Sequence, residues 1–274
     1  MNTVTSNDGT TIAFDRSGGG PPVILVGGAL SDRTAAARLA ALLAPRFTVI
    51  SYDRRGRGDS GDTPPYAVDR EIEDLAALID AAGGDAFVFG HSSGAALALH
   101  AAAAGIAIPR LALYEPPFSV DDSRVALPAD YGSHLDELIA SGRRGDAVEY
   151  FMTVAVAAPP ELVAGMRHSP GWPAMEAMAH TITYDNAVMG DTMRGSPAPL
   201  RRFAAVQAPT LVMDGGASPA WLQNAARALA SVLPDAQHRT LEGQTHGFDP
   251  AVLAPVLVEF FGTQAAPATA DAYA

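Results

Sequence analysis

Residues 87–97, FVFGHSSGAAL, set a serine between two glycines where an apolar run gives way to a segment of helical composition. Gly90-His91-Ser92-Ser93-Gly94 fits the pattern G-x-S-x-G. A serine forced into a sharp, strained strand-to-helix turn projects its Oγ above the sheet, and bulk at either flanking glycine would clash with a neighbouring strand or helix. The helix start behind it offers free N–H groups and a positive dipole end, which favour an oxyanion. Ser92 is therefore the candidate nucleophile, and the backbone N–H of Ser93 a candidate oxyanion donor. The plain alternative is a turn capped by serine. A serine hydroxyl is a weak nucleophile at neutral pH, so the chemistry calls for a base and an acid that orients it.

Seven histidines could supply the base. His91 adjoins Ser92, and adjacent side chains at such a turn diverge. His100 lies two turns along the following helix. His134, His168 and His180 fall in a long helical stretch, and His238 starts a predicted strand. His246, in EGQTHGFDP, sits in a loop after the last strand and before the last helix. Loops at the carboxyl ends of strands converge on the site of an open α/β sheet, which makes His246 the candidate base.

The elements that must position these groups follow from the apolar pattern. TVTSNDGTTIAFDR reads as a hairpin turning at Asn7-Asp8-Gly9. Short apolar runs at 22–28, 47–53, 86–90, 111–115 and 210–215 read as strands, with a weaker one at 238–243. Segments 33–44, 67–82, 92–104, 219–232 and 250–261 read as helices. Near-continuous apolar strands imply burial on both faces, hence a mainly parallel sheet flanked by helices. The alternation stops after Glu115. Residues 118–203 carry helical pieces alone and are expected to form an inserted helical cap between core segments 1–117 and 204–264. The small-residue tail 265–274 is expected to be disordered.

Composition narrows the function further. A formal charge of −12 disfavours nucleic acid as a partner. With no cysteine there is neither a disulfide framework nor a thiolate metal site. The N-terminus has no basic or apolar leader pattern, and no run of about 18 apolar residues suggests a membrane span, so a cytoplasmic protein is expected. No metal or cofactor is expected; a homo-oligomer is left open.

Together, PVILVGGAL, SYDRRGRGDS, FGHSSG and GQTHGFDP resemble the α/β-hydrolase superfamily, over nearly the whole chain except the cap and tail. The resemblance implies an α/β-hydrolase fold. It also implies an acid three residues beyond Gly215, where this chain carries Ser218. Ser218-Pro219 reads as a helix cap. The usual acid is missing, which leaves Glu115 in LALYEPPF, with Asp214 as the alternative; Asp249 reads as another helix cap. Some members of the superfamily take their acid from the strand that ends here at Glu115, among them haloalkane dehalogenases and zearalenone-type lactone hydrolases. The order Ser92, Glu115, His246 fits. The resemblance also places a second oxyanion donor at the N–H of Ala29, after Gly27-Gly28 where members usually carry His-Gly. DRRGRGDS resembles an ordering loop beside the site.

Gly28, Leu30, Trp172 and Tyr184 are the expected substrate contacts. Met152, Met166, Met175, Met178, Met189 and Met193 form either the cap's own core or a pocket lining. No basic cluster suggests a phosphorylated substrate, so a neutral, hydrophobic ester or lactone is favoured. YEPP and GGASP are similar to segments of the zearalenone lactone hydrolases, which implies a macrolactone as one such substrate. Two other readings stand: the same site used for carbon–carbon hydrolysis, perhydrolysis or cyclisation, and a non-catalytic small-molecule-binding protein.

Overall fold

The structure is a computed structural model, and it describes residues 1–262. Eight strands form one sheet: β1 (Asn2–Thr5), β2 (Thr11–Gly18), β3 (Pro22–Val26), β4 (Thr48–Tyr52), β5 (Phe87–His91), β6 (Leu111–Tyr114), β7 (Thr210–Gly215) and β8 (Ala236–Leu241). Their order across the sheet is β1-β2-β4-β3-β5-β6-β7-β8. β1 and β2 make the expected antiparallel hairpin, β2 joins β4 antiparallel, and every other pairing is parallel. This is the α/β-hydrolase fold. β4, β6 and β7 are buried at every residue, which is why their sequences read as unbroken apolar runs.

Helices cover both faces. Leu39 and Leu43 from α1 (Ala37–Leu43) and Leu253, Leu257 and Phe261 from α10 (Pro250–Gly262) pack on one face, against Val23, Leu25, Val49 and Met213. The other face is packed by α2 (Val68–Ala82), α3 (Ser93–Ala103) and α9 (Ala220–Val232). α3 is buried along almost its whole length, and its alanines let it lie close to the strands.

Between β6 and β7 the chain makes no strand. It forms α4 (Tyr131–Ala140), α5 (Arg144–Tyr150), a π-helical turn (Phe151–Ala155), α6 (Pro160–Met166), α7 (Trp172–Met178) and α8 (Thr181–Met189). Two 3-10 turns follow, at Gly190–Met193 and Ala198–Ala205. Tyr131, Leu135, Leu138, Val148, Val163, Trp172 and Ile182 give these helices a core of their own. Phe118, Val120, Val188, Met189, Leu200 and Phe203 instead join the core of the sheet. The helical insertion is therefore rooted in the sheet's packing at both ends. The expected tail, 265–274, lies outside the described residues. Among the described residues no helix is long and apolar enough to cross a membrane.

Candidate active site

The site lies where β3, β5, β6 and β7 end at their carboxyl edge. At the end of β5 the chain enters α3 through Ser92, whose φ of 57° and ψ of −129° lie outside the regions an L-residue prefers. Such a conformation costs on the order of 1–3 kcal/mol and persists only where the surroundings enforce it. The glycines supply that enforcement. A Cβ on Gly94 would lie 2.4 Å from the carbonyl oxygens of Val26 and Gly27, and one on Gly90 would lie 2.6 Å from the Cα of Ala95. β3, β5 and α3 thus meet at van der Waals distance, which holds Ser92 in this turn.

Ser92 Oγ lies 3.0 Å from His246 Nε2, and His246 Nδ1 lies 2.8 Å from Glu115 Oε2. With Nδ1 protonated, His246 donates to Glu115 and accepts from the Ser92 hydroxyl. Glu115 is fully buried, and its other oxygen accepts from the Gly215 N–H at 2.7 Å. It follows directly on β6 with a positive φ of 47°. That turn carries its carboxyl across the end of β7 toward the loop of His246. The structure thus brings Ser92, His246 and Glu115 into one hydrogen-bonded row. Asp214 points elsewhere: it pairs with His238 on the neighbouring strand. Ser218 is buried, but its Oγ makes no hydrogen bond and does not cap α9, contrary to the cap read from Ser218-Pro219. Asp249 does cap, accepting from the Ala251 N–H at 2.9 Å.

Two groups that sequence reasoning passed over hold the histidine loop. His91 Nε2 donates to the carbonyl of His246 at 2.9 Å, and the Tyr114 hydroxyl donates to that of Thr245 at 2.7 Å. Desolvation, aided by the nearby His246 ring, pushes the His91 pKa down to about 3, so His91 serves as a neutral donor. Adjacency to Ser92 was the only signal that could have marked His91. The rings of His91 and His246 lie 4.8 Å apart.

Ser93 is the first residue of α3, and its N–H has no acceptor within the helix. Ala29 and Ser93 both border the space beside Ser92 Oγ. Gly28 approaches so closely that a Cβ there would lie 2.9 Å from the Ser92 Cβ. Leu30, with φ of 53°, turns the chain away from β3.

A buried ionic cluster ties this loop to the helical insertion. Arg54, Arg55 and Arg57 are all buried. Arg55 is taken up by Asp74 and Asp8. Arg54 holds Glu71 through two hydrogen bonds of 2.6 and 2.7 Å, and reaches Asp185 at 2.8 Å and Ser93 Oγ at 3.3 Å. Arg57 donates to the Gly28 carbonyl at 2.6 Å and to both oxygens of Asp185 at 2.8 and 2.9 Å. Asp185 lies on α8, so one carboxylate of the insertion grips two arginines that themselves touch the Gly28 carbonyl and Ser93. The two guanidiniums hold its pKa below the usual carboxylate range despite complete burial. The arginine-rich stretch orders the site, as its resemblance implied, and extends that order to the insertion.

Two cavities open on either side of Ser92, sharing Ala29, Phe151, Val156 and His246. The first, about 160 Å³, is walled largely by apolar side chains, including Pro117, Leu127, Met189, Met193 and Trp221. The second, about 450 Å³, takes in Gly28, Leu30, Met152 and Met175. Phe151 opens the π-helical turn, a rare geometry often found at functional sites. The methionines divide: four line the cavities, while Met178 is buried and Met166 packs on the insertion's core. Trp172 and Tyr184 require correction, since neither lines these cavities. Trp172 is buried in the insertion's core with its Nε1 donating to Glu176 at 2.9 Å. Tyr184 stacks on Tyr66 at 3.9 Å and donates its hydroxyl to Asp62.

The sequence profile of the alpha/beta hydrolase family matches residues 18–256. A crystal structure of an alpha/beta hydrolase from Sphaerobacter thermophilus is 65% identical, with a TM-score of 0.89 over 95% of this chain and 100% of that one. Lipase LipV of Mycobacterium tuberculosis is 39% identical over 83 residues, which span 30% of this chain and 32% of the lipase. Polyketide synthase ThaQ of Burkholderia thailandensis is 30% identical over 264 residues, spanning 87% of this chain and 12% of the synthase.

Two outcomes follow from the buried ionisable groups. Replacing Asp185→Asn leaves buried guanidinium charge uncompensated and is expected to cost about 3–5 kcal/mol of stability in urea unfolding, whereas Asp146→Asn on the surface costs under about 1 kcal/mol. Equal costs would show that the cluster is energetically idle. His91 remains neutral in the fold down to about pH 3, while in the unfolded chain it takes up a proton near 6.5. The unfolded state then binds more protons, so stability falls as pH drops from 6.5 toward 3. Unfolding curves of His91→Gln across that window should show a shallower slope than the parent.

Proposed function

The chain belongs to the alpha/beta hydrolase family, and on that footing we propose a serine hydrolase that cleaves a carboxylic ester or lactone of a hydrophobic substrate through an acyl-enzyme. The observation that carries this reading is the row Glu115–His246–Ser92 opening into a largely apolar cavity.

In the proposed mechanism His246 Nε2 takes the Ser92 proton as Oγ attacks the ester carbon. Glu115 keeps the proton on Nδ1 and balances the imidazolium charge. The carbonyl oxygen becomes an oxyanion facing the N–H groups of Ala29 and Ser93, each such donor being worth roughly 3 kcal/mol in the transition state. Collapse expels the alcohol, which takes the proton from His246. Water, deprotonated by His246, then attacks the acyl-Ser92 carbon, and a second collapse releases the acid and restores the serine. In a lactone the alcohol and acid stay on one molecule. The resemblance of YEPP and GGASP to segments of zearalenone lactone hydrolases favours trying hydrophobic macrolactones early.

A second reading keeps the acyl-enzyme and replaces water with a hydroxyl of the acyl chain, so that the product is a ring. The identity to part of a polyketide synthase favours testing it. Product mass separates the two, because hydrolysis adds a water and cyclisation does not.

Labelling with a fluorophosphonate, read by intact mass, is expected to reach one adduct per chain and to vanish in Ser92→Ala. A folded parent protein that takes no label would sink the proposal. Glu115→Gln is expected to lower kcat by about a thousandfold or more through loss of the oriented tautomer, and Asp214→Asn far less. The reverse ranking would overturn the acid assignment.

A further inference from the structure

The residues that line both cavities beside Ser92 fall into two groups. Ala29, Ser92 and His246 belong to the reaction centre on the sheet side, and Phe151 and Val156 come from the insertion. A residue that walls two chambers stands on the boundary between them. The chambers are therefore parted by the reaction centre on one side and by Phe151 and Val156 on the other.

The π-helical turn explains why these two residues pair. In an α-helix the Ala155 N–H would return to the Phe151 carbonyl. Here one more residue enters the ring, and the Val156 N–H makes that bond at 3.0 Å. Val156 is thereby drawn back to Phe151. The chain then turns sharply, with Ala157 at a φ of 58° and the Ala158 N–H donating to the Met152 carbonyl at 2.9 Å. Ala155 lines the smaller cavity alone and Met152 the larger one alone, so the turn straddles the boundary. The other walls differ in kind. Ser93 lines only the smaller chamber, together with Met193. Gly247 and Phe248, from the loop of His246, line only the larger one, together with Met175.

We propose that the π-helical turn is a partition that makes the enzyme select the two halves of an ester separately, the acyl chain in the smaller chamber and the alcohol in the larger. The alcohol oxygen must take the proton from His246, so its chain belongs on the side walled by the histidine's own loop. The acyl chain hangs from the carbon whose oxygen faces Ala29 and Ser93, and it takes the other side. With about 160 Å³ against about 450 Å³, the preferred ester has a short apolar acyl group and a larger alcohol. A lactone joins the two halves, so its ring must pass around Phe151 and Val156, whereas an open-chain ester need not. The inference rests on the hydrolase reading and narrows its substrate class to open-chain esters.

Two ester series, followed by acid release, test the partition: one lengthens the acyl chain of a methyl ester, the other the alcohol chain of an acetate. In the parent protein kcat/KM is expected to peak at a shorter acyl chain than alcohol chain. Met193→Ala should raise kcat/KM for the first acyl chain that the parent excludes by about tenfold, the scale of one methylene in an apolar pocket, and leave the alcohol series in place. Met175→Ala should do the same for the alcohol series alone. Met193→Val and Met175→Val are milder cuts should alanine unfold the chain. Dodecanolide and octyl butyrate, equal in carbon number, test the ring. The parent should favour the butyrate, and Phe151→Ala should raise the relative kcat/KM of the lactone by about tenfold. Methionine substitutions that shift both series together, the opposite series or neither overturn the partition. So does a parent that prefers the lactone, or a ratio unmoved by Phe151→Ala. If Ser92 takes a fluorophosphonate and the esters turn over, that failure leaves the hydrolase reading standing; neither label nor turnover overturns both.

Discussion

Helix α3 runs so close to the end of β3 that there is no space for a methyl group at Gly94. The rest of the site depends on this approach. It fixes the turn at Ser92, forces that residue to a positive φ, and sets the first free N–H of the helix beside the loop that follows β3. The same loop begins with glycines and turns at Leu30, a second left-handed residue; Glu115, at the end of the adjacent strand β6, is a third. Three strained positions thus cluster at three strand ends, where buried parallel strands and packed helices can hold them. The sheet acts as a rigid frame that lines up side chains from residues 92, 115 and 246.

Electrostatics then closes the frame from above. Arg54, Arg57, Glu71 and Asp185 carry two positive and two negative charges in a buried cluster, with no net charge left over. Buried pairs of this kind add little net stability compared with a well-packed apolar equivalent, but removing one member is costly. Their effect here is geometric. Arg57 grips the Gly28 carbonyl, and Asp185 grips Arg57, so the loop beside Ser92 is positioned partly by a helix of the insertion. By contrast, Arg143, Asp146, Glu149 and Arg167 pair within the insertion at the solvent surface, where such contacts contribute little.

The sequence made some of this legible and concealed the rest for physical reasons. Ser92 and its glycines could be read because strand, turn and helix are local, and steric limits at a tight turn leave few residue choices. The sheet could be read because strands buried on both faces must be apolar throughout. Glu115 emerged from a departure, a serine at the position where the family resemblance calls for an acid, and the structure sets its carboxyl against His246. Trp172 misled because Gly171 and Pro173 suggest a loop; they instead flank the first residue of α7, where proline is tolerated, and the indole faces the insertion's core. Asp185 gave no signal. It sits within α8, and its partners are 128 and 131 residues away, a separation no local pattern encodes. The Arg54 and Arg57 side chains looked like part of an ordering loop, and their reach toward the insertion required three dimensions.

The grip of Asp185 on Arg54 and Arg57 bears on how such a fold diversifies. An inserted helical segment invites treatment as an exchangeable module, free to be traded between relatives to change what the enzyme accepts. Here trading is constrained. A replacement segment that lacks an acidic side chain at this place would leave Arg57 without its buried counter-charge and Arg54 with Glu71 alone, and the loop beside Ser92 would lose its brace. Variation in substrate choice can accumulate more easily elsewhere in the insertion, around Phe151, Met152, Val156 and Met175, whose side chains face the cavities without carrying charge. The carboxylate marks the graft point through which the two lineages of structure, sheet and insertion, must change together.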